Sequence, residues 1–73
     1  MHPETRQATS IYVNGERTKT PARTLAELIE ALGHGEGTVA TALNGAFVPR
    51  QNRAGMRLAE GDRVEVLAPR QGG

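Results

Sequence analysis

Two Asn-Gly dipeptides, Asn14-Gly15 and Asn44-Gly45, constrain this chain more than any other feature. Both central positions of a two-residue hairpin turn need positive φ, which Asn and Gly tolerate, and such a turn matches the twist of the strands it joins. Each pair sits among strand-forming residues. Ile11, Tyr12 and Val13 precede the first, and Glu16 to Thr20 makes a polar return that stops at Pro21. Before the second, Thr38 to Leu43 reads as a strand, with Ala46 to Val48 as a short partner closed by Pro49. Proline has no N–H for a ladder, so that partner is expected at a sheet edge.

A helix is expected between the hairpins. Thr24 with Glu27 three residues on makes a capping box, in which each side chain satisfies the other's backbone N–H. Leu25, Leu28, Ile29 and Leu32 fall at i, i+3, i+4 and i+7, one apolar stripe, and Gly33 is placed to end the helix in a left-handed conformation. His34-Gly35-Glu36-Gly37 is glycine-rich, yet a phosphate cradle normally follows a strand, opens a helix and brings a lysine. This stretch follows a helix, so it reads as a helix-to-strand turn. Arg50 to Arg57 has no period and reads as a loop or short turn. Leu58 to Asp62 reads as another turn, after which Val64, Val66 and Ala68 alternate with Arg63, Glu65 and Leu67, the pattern of a half-buried strand.

These elements make an α+β fold in which one amphipathic helix covers one face of one sheet. Ile11, Val13, Val39, Leu43, Val64 and Val66 are the expected inward residues. The uncovered face then carries Tyr12, Ala40, Ala42 and Leu67, apolar or small where charges would be expected, and this reads as a docking patch for a partner protein.

Composition removes several classes of function. A chain of 73 residues holds one small domain with little interior for an enclosed active site. It has no cysteine, hence no thiolate metal site and no cysteine nucleophile. His2 and His34 lack the neighbours that would make them metal ligands. Net charge is +1, the charges are spread along the chain, and Tyr12 and Phe47 are the only aromatics. A nucleic-acid partner is therefore not expected, since phosphate anchoring needs a cationic stripe and base stacking needs aromatic platforms. No run approaches the ~20 apolar residues of a membrane span, and the polar stretch Met1 to Ser10 is unlike a secretory signal, so no membrane partner and a cytoplasmic location are expected. Residues 1–9 read as a flexible leader, 10–68 as the folded domain and 69–73 as a tail.

That tail is Pro69-Arg70-Gln71-Gly72-Gly73. Two glycines without side chains can thread a narrow channel and present a carboxylate to a reagent held by another protein.

Over Ile11 to Gly73 the sequence resembles the ThiS family, the sulfur carriers of thiamine biosynthesis. The resemblance is carried by Val13-Asn14-Gly15-Glu16, by Thr24-Leu25-Ala26-Glu27-Leu28, and by Ala42-Leu43-Asn44-Gly45 with Val48-Pro49-Arg50. It continues through Glu60-Gly61-Asp62-Arg63-Val64-Glu65-Val66 into Ala68-Pro69-Arg70-Gln71-Gly72-Gly73. It implies a ubiquitin-like β-grasp, with a mixed sheet of four to five strands and one main helix on one face. It also implies that the carboxylate of Gly73 is adenylated by a ThiF-like adenylyltransferase using ATP and Mg²⁺. A persulfide sulfur donor then displaces AMP, and the resulting thiocarboxylate delivers sulfur to thiazole synthase. Gly73 would be the modified residue and Gly72 part of the slender tail. Arg50 and Arg70 match family positions and are candidates for pairing with acidic groups on a partner. The chain itself would hold no metal, no cofactor and no catalytic residue.

Two departures stand out. Residues Met1 to Thr9 precede the usual start, and Gln51 to Met56 lacks the Trp that many members carry after Val-Pro-Arg. Other readings are the molybdopterin-synthase small subunit, another Gly-Gly sulfur carrier, or a protein-conjugation tag. A different class, a non-covalent β-grasp binding module, would not depend on its last residue.

Overall fold

Both Asn-Gly pairs become hairpin turns. In the computed structural model, which describes residues 8–34 and 38–68, the first joins β1 (Thr9–Val13) to β2 (Glu16–Thr20). The second joins β3 (Ala40–Leu43) to β4 (Ala46–Val48). Asn14 and Asn44 both take φ 52°, followed by Gly15 at 85° and Gly45 at 87°. Positive φ at both central positions defines the turn that the dipeptides called for.

A fifth strand, β5 (Arg63–Leu67), lies between the hairpins, giving the order β2-β1-β5-β3-β4. It runs parallel to β1 and antiparallel to β3, so the sheet is mixed. β4 is an edge strand, as the proline after it requires. β3 starts at Ala40, two residues later than the apolar run suggested, because Thr38 and Val39 have no strand partner.

The helix α1 (Leu25–Ala31) is short, and its ends follow the signals in the sequence with two corrections. Thr24 is the N-cap, its hydroxyl accepting from the Glu27 N–H at 3.2 Å. The reciprocal half of the box includes a bond one residue further out, for the Glu27 carboxylate accepts from the Arg23 N–H at 2.7 Å. Thr24 also faces Arg57 in an isolated bridge, whose hydrogen bonds run from the Leu25 N–H to the Met56 carbonyl and from the Leu58 N–H to the Arg23 carbonyl. At the other end Gly33, with φ 90°, donates to the Glu30 carbonyl and His34 to that of Ile29, the two bonds of a Schellman closure. The helix thus stops before Leu32, which stands 39% exposed at the rim and does not complete the buried stripe.

Leu25, Leu28 and Ile29 of α1 pack with Ile11, Leu43, Val48, Val64 and Val66, with Ala22 closing one side. Complete burial of an aliphatic side chain contributes roughly 1.5–3 kcal/mol, so this single layer holds most of the favourable free energy. Val13 and Val39, also expected inside, are half-buried against its margin, and Ala68 is exposed beyond the end of β5.

The stretch Arg50–Gly55 is a 3-10 helix packed on α1, where the absence of a period suggested a loop or short turn. A 3-10 turn is too short to show a period in sequence. Its anchor is Arg53, 7% exposed, whose Nε donates to Thr41 Oγ1 at 3.0 Å and whose guanidinium donates to the Val39 carbonyl at 2.7 Å. Thr41 Oγ1 in turn donates to the Val48 carbonyl at 2.9 Å. Buried polar atoms are therefore partnered here, as burial demands.

Candidate functional site

The face of the sheet away from α1 has no layer over it among the described residues. Register decides which side chains share that face. Ala40 pairs with Leu67, Ala42 with Glu65 and with Phe47, and Tyr12 with Arg17 and Arg63. Cross-strand partners lie on one side of a sheet, so Tyr12, Ala40, Ala42 and Leu67 all occupy the open face.

They do not form one group. Ala40, Ala42 and Leu67 come together with Phe47 and the rim residue Glu65 around a shallow depression. A second depression, lined by Thr38, Val39, Ala40, Leu67 and Ala68, adjoins it and extends the apolar surface to the point where the chain leaves β5. Phe47 and Leu67 are 69% and 68% exposed, so the largest apolar side chains of this region face outward. Tyr12 sits on β1 level with Arg63, four residues and about 13 Å along β5 from Leu67. Arg50 opens the 3-10 segment and is on no strand of this face. Arg70, Gly72 and Gly73 lie outside the described residues, as do Pro69 and Gln71, residues 1–7 of the leader, and Gly35 to Gly37 of the glycine-rich turn.

Phe47 escaped the reading of the sequence as a member of this patch. The signal was present. Once Asn44-Gly45 sets a two-residue turn, Ala46 pairs with Leu43, Phe47 with Ala42 and Val48 with Thr41, and the burial of Val48 sends Phe47 outward.

The strand that leads to the tail is held rigidly. Asn14 donates its backbone N–H to the Val64 carbonyl at 2.8 Å, and its side chain donates to the Val66 carbonyl and accepts the Val66 N–H at 2.9 Å. From the other side Asn44 donates its backbone N–H to the Arg63 carbonyl at 2.7 Å, and its Oδ1 accepts the Arg63 N–H at 2.9 Å. Its Nδ2 donates to Asp62 Oδ1, while Asp62 Oδ2 accepts the Ala59 N–H and fixes the turn into β5. Both turn asparagines thereby extend the ladders of β5 with side-chain amides. The consequence is that the last described residues of β5, Leu67 and Ala68, hold a defined position beside Ala40.

Among the described residues no group of three or more His, Asp or Glu comes together to hold a metal ion, and no helix is long and apolar enough to cross a membrane.

Residues 4–73 match the family model described as ThiS family. The chain belongs to the ThiS family. Among solved structures, the crystal structure of the thiamine biosynthesis protein ThiS from Geobacter metallireducens matches with a TM-score of 0.72 and 29% identity, covering 89% of this chain and 100% of that one. No curated protein matches this chain. The mixed five-stranded sheet with α1 on one face is thus the ThiS β-grasp, and the helical complement is one main helix plus the 3-10 segment. Membership supports the role of a small sulfur carrier, a protein that is not itself a catalyst.

Proposed function

We infer that this chain carries sulfur as a thiocarboxylate on Gly73 for the thiazole of thiamine. A carboxylate is a poor electrophile. In the proposed sequence an adenylating partner, using its own ATP and Mg²⁺, lets the Gly73 carboxylate attack the α-phosphate of ATP, and pyrophosphate leaves. The terminal sulfur of a donor persulfide then attacks the glycyl carbonyl and AMP departs, leaving an acyl disulfide. A thiol of the donor cleaves that S–S bond, becoming oxidised to a disulfide as the thiocarboxylate is released. Dividing one hard substitution into activated steps is the general advantage of covalent intermediates. Thiazole synthase is the acceptor in this reading.

The supporting observation is the ThiS family match running through Arg70-Gln71-Gly72-Gly73. The geometry is consistent with it, since β5, the strand that precedes the tail in sequence, ends at Leu67 within the exposed patch of Phe47, Leu67, Ala40 and Ala42. An enzyme that grips this patch holds the strand from which the tail continues. Apolar contacts of this kind contribute affinity without chemistry, and the tail supplies the reacting atom.

The test is intact-mass analysis after incubation with ATP, the adenylating enzyme and a persulfide donor. The chain should gain the mass difference of one oxygen exchanged for one sulfur. Deleting Gly73, or appending residues after it, should abolish the gain. A chain that keeps its biological activity with an appended segment would show the carrier reading to be wrong.

A further inference from the structure

The other half of the open face has a different chemistry. Arg17 on β2 and Arg63 on β5 flank Tyr12 on β1, each directly paired with it in register. Lys19 continues the row along β2, opposite Ser10. All three cationic residues are exposed, and Tyr12 is 40% exposed. No hydrogen bond or ion pair among the described residues engages the Arg17 guanidinium, the Lys19 ammonium or the Arg63 guanidinium. Glu65 is the one carboxylate on these strands that shares their face, two positions along from Arg63.

Protection of a sheet edge explains part of this row, because lysine and arginine on an edge strand discourage pairing with another chain. It accounts for Arg17 and Lys19 on β2. It does not account for Arg63, which lies on the central strand, nor for a tyrosine held half-open between two arginines. Like charges gathered on one face repel one another, and a partner of opposite sign relieves that repulsion.

We propose that the row Arg17, Tyr12, Arg63, with Lys19 beside it, is a docking surface for an acidic segment of a partner protein. Two inter-strand spacings separate Arg17 from Arg63, about 10 Å, so the complementary segment presents two carboxylates roughly that far apart with an aliphatic or aromatic side chain between them over Tyr12. Each guanidinium offers the planar fork that receives a carboxylate on two parallel N–H bonds. Tyr12 gives the contact an apolar floor and a phenol at the rim, the composition typical of interface anchors. The depression lined by Tyr12, Gly15, Arg63, Val64 and Glu65 is half-open to solvent, so it can receive a side chain of a macromolecule but does not enclose a small ligand. A protein is favoured over a nucleic acid because three cations and one aromatic supply few phosphate contacts and a single stacking platform, and Glu65 would face the phosphates. The inference stands apart from the carrier reading, for it concerns binding alone.

The experiment is an amide-shift titration of the full ¹⁵N-labelled chain with a blocked peptide in which two glutamates three positions apart enclose leucines, against a matched glutamine peptide. Expected are saturable shifts at Ser10, Tyr12, Arg17 and Arg63 with the glutamate peptide, weakened about tenfold by raising the salt from low to several hundred millimolar. Arg17→Glu with Arg63→Glu should abolish them, and the milder Arg17→Gln with Arg63→Gln should weaken them. Arg17→Glu alone should weaken them, and Arg23→Glu, the same charge change as that single variant but outside the strands, should leave them in place. The proposal is overturned if the glutamine peptide shifts the same amides equally, if Arg23→Glu weakens binding as much as Arg17→Glu, or if no saturable shift occurs. Tighter binding of a single-stranded oligonucleotide to the same residues would overturn the protein assignment. Wild-type salt dependence decides the matter even if the double variants fail to fold.

Discussion

The hairpins β1–β2 and β3–β4 are built alike and dressed differently. Each turns on Asn-Gly with nearly identical φ values, and in each the asparagine side chain reaches across to β5. Their inward residues meet in one core, with Ile11 from the first and Leu43 and Val48 from the second. Outward, the first carries Arg17, Lys19 and Tyr12, and the second carries Ala40, Ala42 and Phe47. Shared features answer to the backbone, because a turn and a clamp are needed wherever a hairpin meets β5. Divergent features answer to what approaches the sheet from outside.

Core substitutions should hurt both hairpins and produce the largest effects. Ile11→Ala, at a fully buried site, should cost about 2–5 kcal/mol, a large part of the ~5–15 kcal/mol that holds a domain together. Urea denaturation should show a lost or strongly shifted transition. Val48→Ala on the second hairpin removes less volume and should cost about 2 kcal/mol.

Next come the clamps. Asn14→Ala and Asn44→Ala each remove side-chain hydrogen bonds to the β5 region and replace a residue that tolerates φ 52° with one that tolerates it less, for an expected loss of about 1–3 kcal/mol. Asn14→Gly keeps the turn and loses only the clamp, so its smaller cost in the same melts separates the two contributions. A negligible effect in one hairpin and a large one in the other would break the equivalence claimed above.

Gly15→Ala and Gly45→Ala meet no neighbouring atom, so only the positive φ is penalised, by about 1 kcal/mol and equally in the two turns. Smallest in stability is Phe47→Ser, within about 0.5 kcal/mol because the ring is exposed. Its effect belongs to docking. If the second hairpin is the enzyme-facing one, KM of the chain as substrate of its adenylating enzyme should rise about tenfold while Tm stays put.

Most of the architecture was legible because its signals are local. Asn-Gly pairs, a capping threonine and period-two alternation each act within a few residues, and Tyr12, Ala40, Ala42 and Leu67 were assigned to the open face by alternation alone. What escaped depends on distant partners. Arg53 is the clearest case. An arginine in a polar stretch gives no sign of burial, and its partners Val39 and Thr41 lie on another element. It lies in the stretch where the family resemblance suggested a missing tryptophan, and it anchors that stretch by hydrogen bonds instead of by an aromatic ring. Leu32 failed for a similar reason, since the point at which the helix closes depends on the glycine after it. That Phe47 joins Leu67 emerges only when β3 is seen to lie between β4 and β5.

The central place of β5 bears on how the chain is made. Synthesis proceeds from the amino end, so among the described residues β5 is the last strand to leave the ribosome, yet it is the one strand there that neighbours both β1 and β3. Until it arrives the two hairpins share no edge, and an isolated hairpin is marginal in water. The nascent chain therefore completes its sheet only when the strand bearing the tail has emerged, which ties the presence of the folded surface to the presence of the segment that leads into the tail.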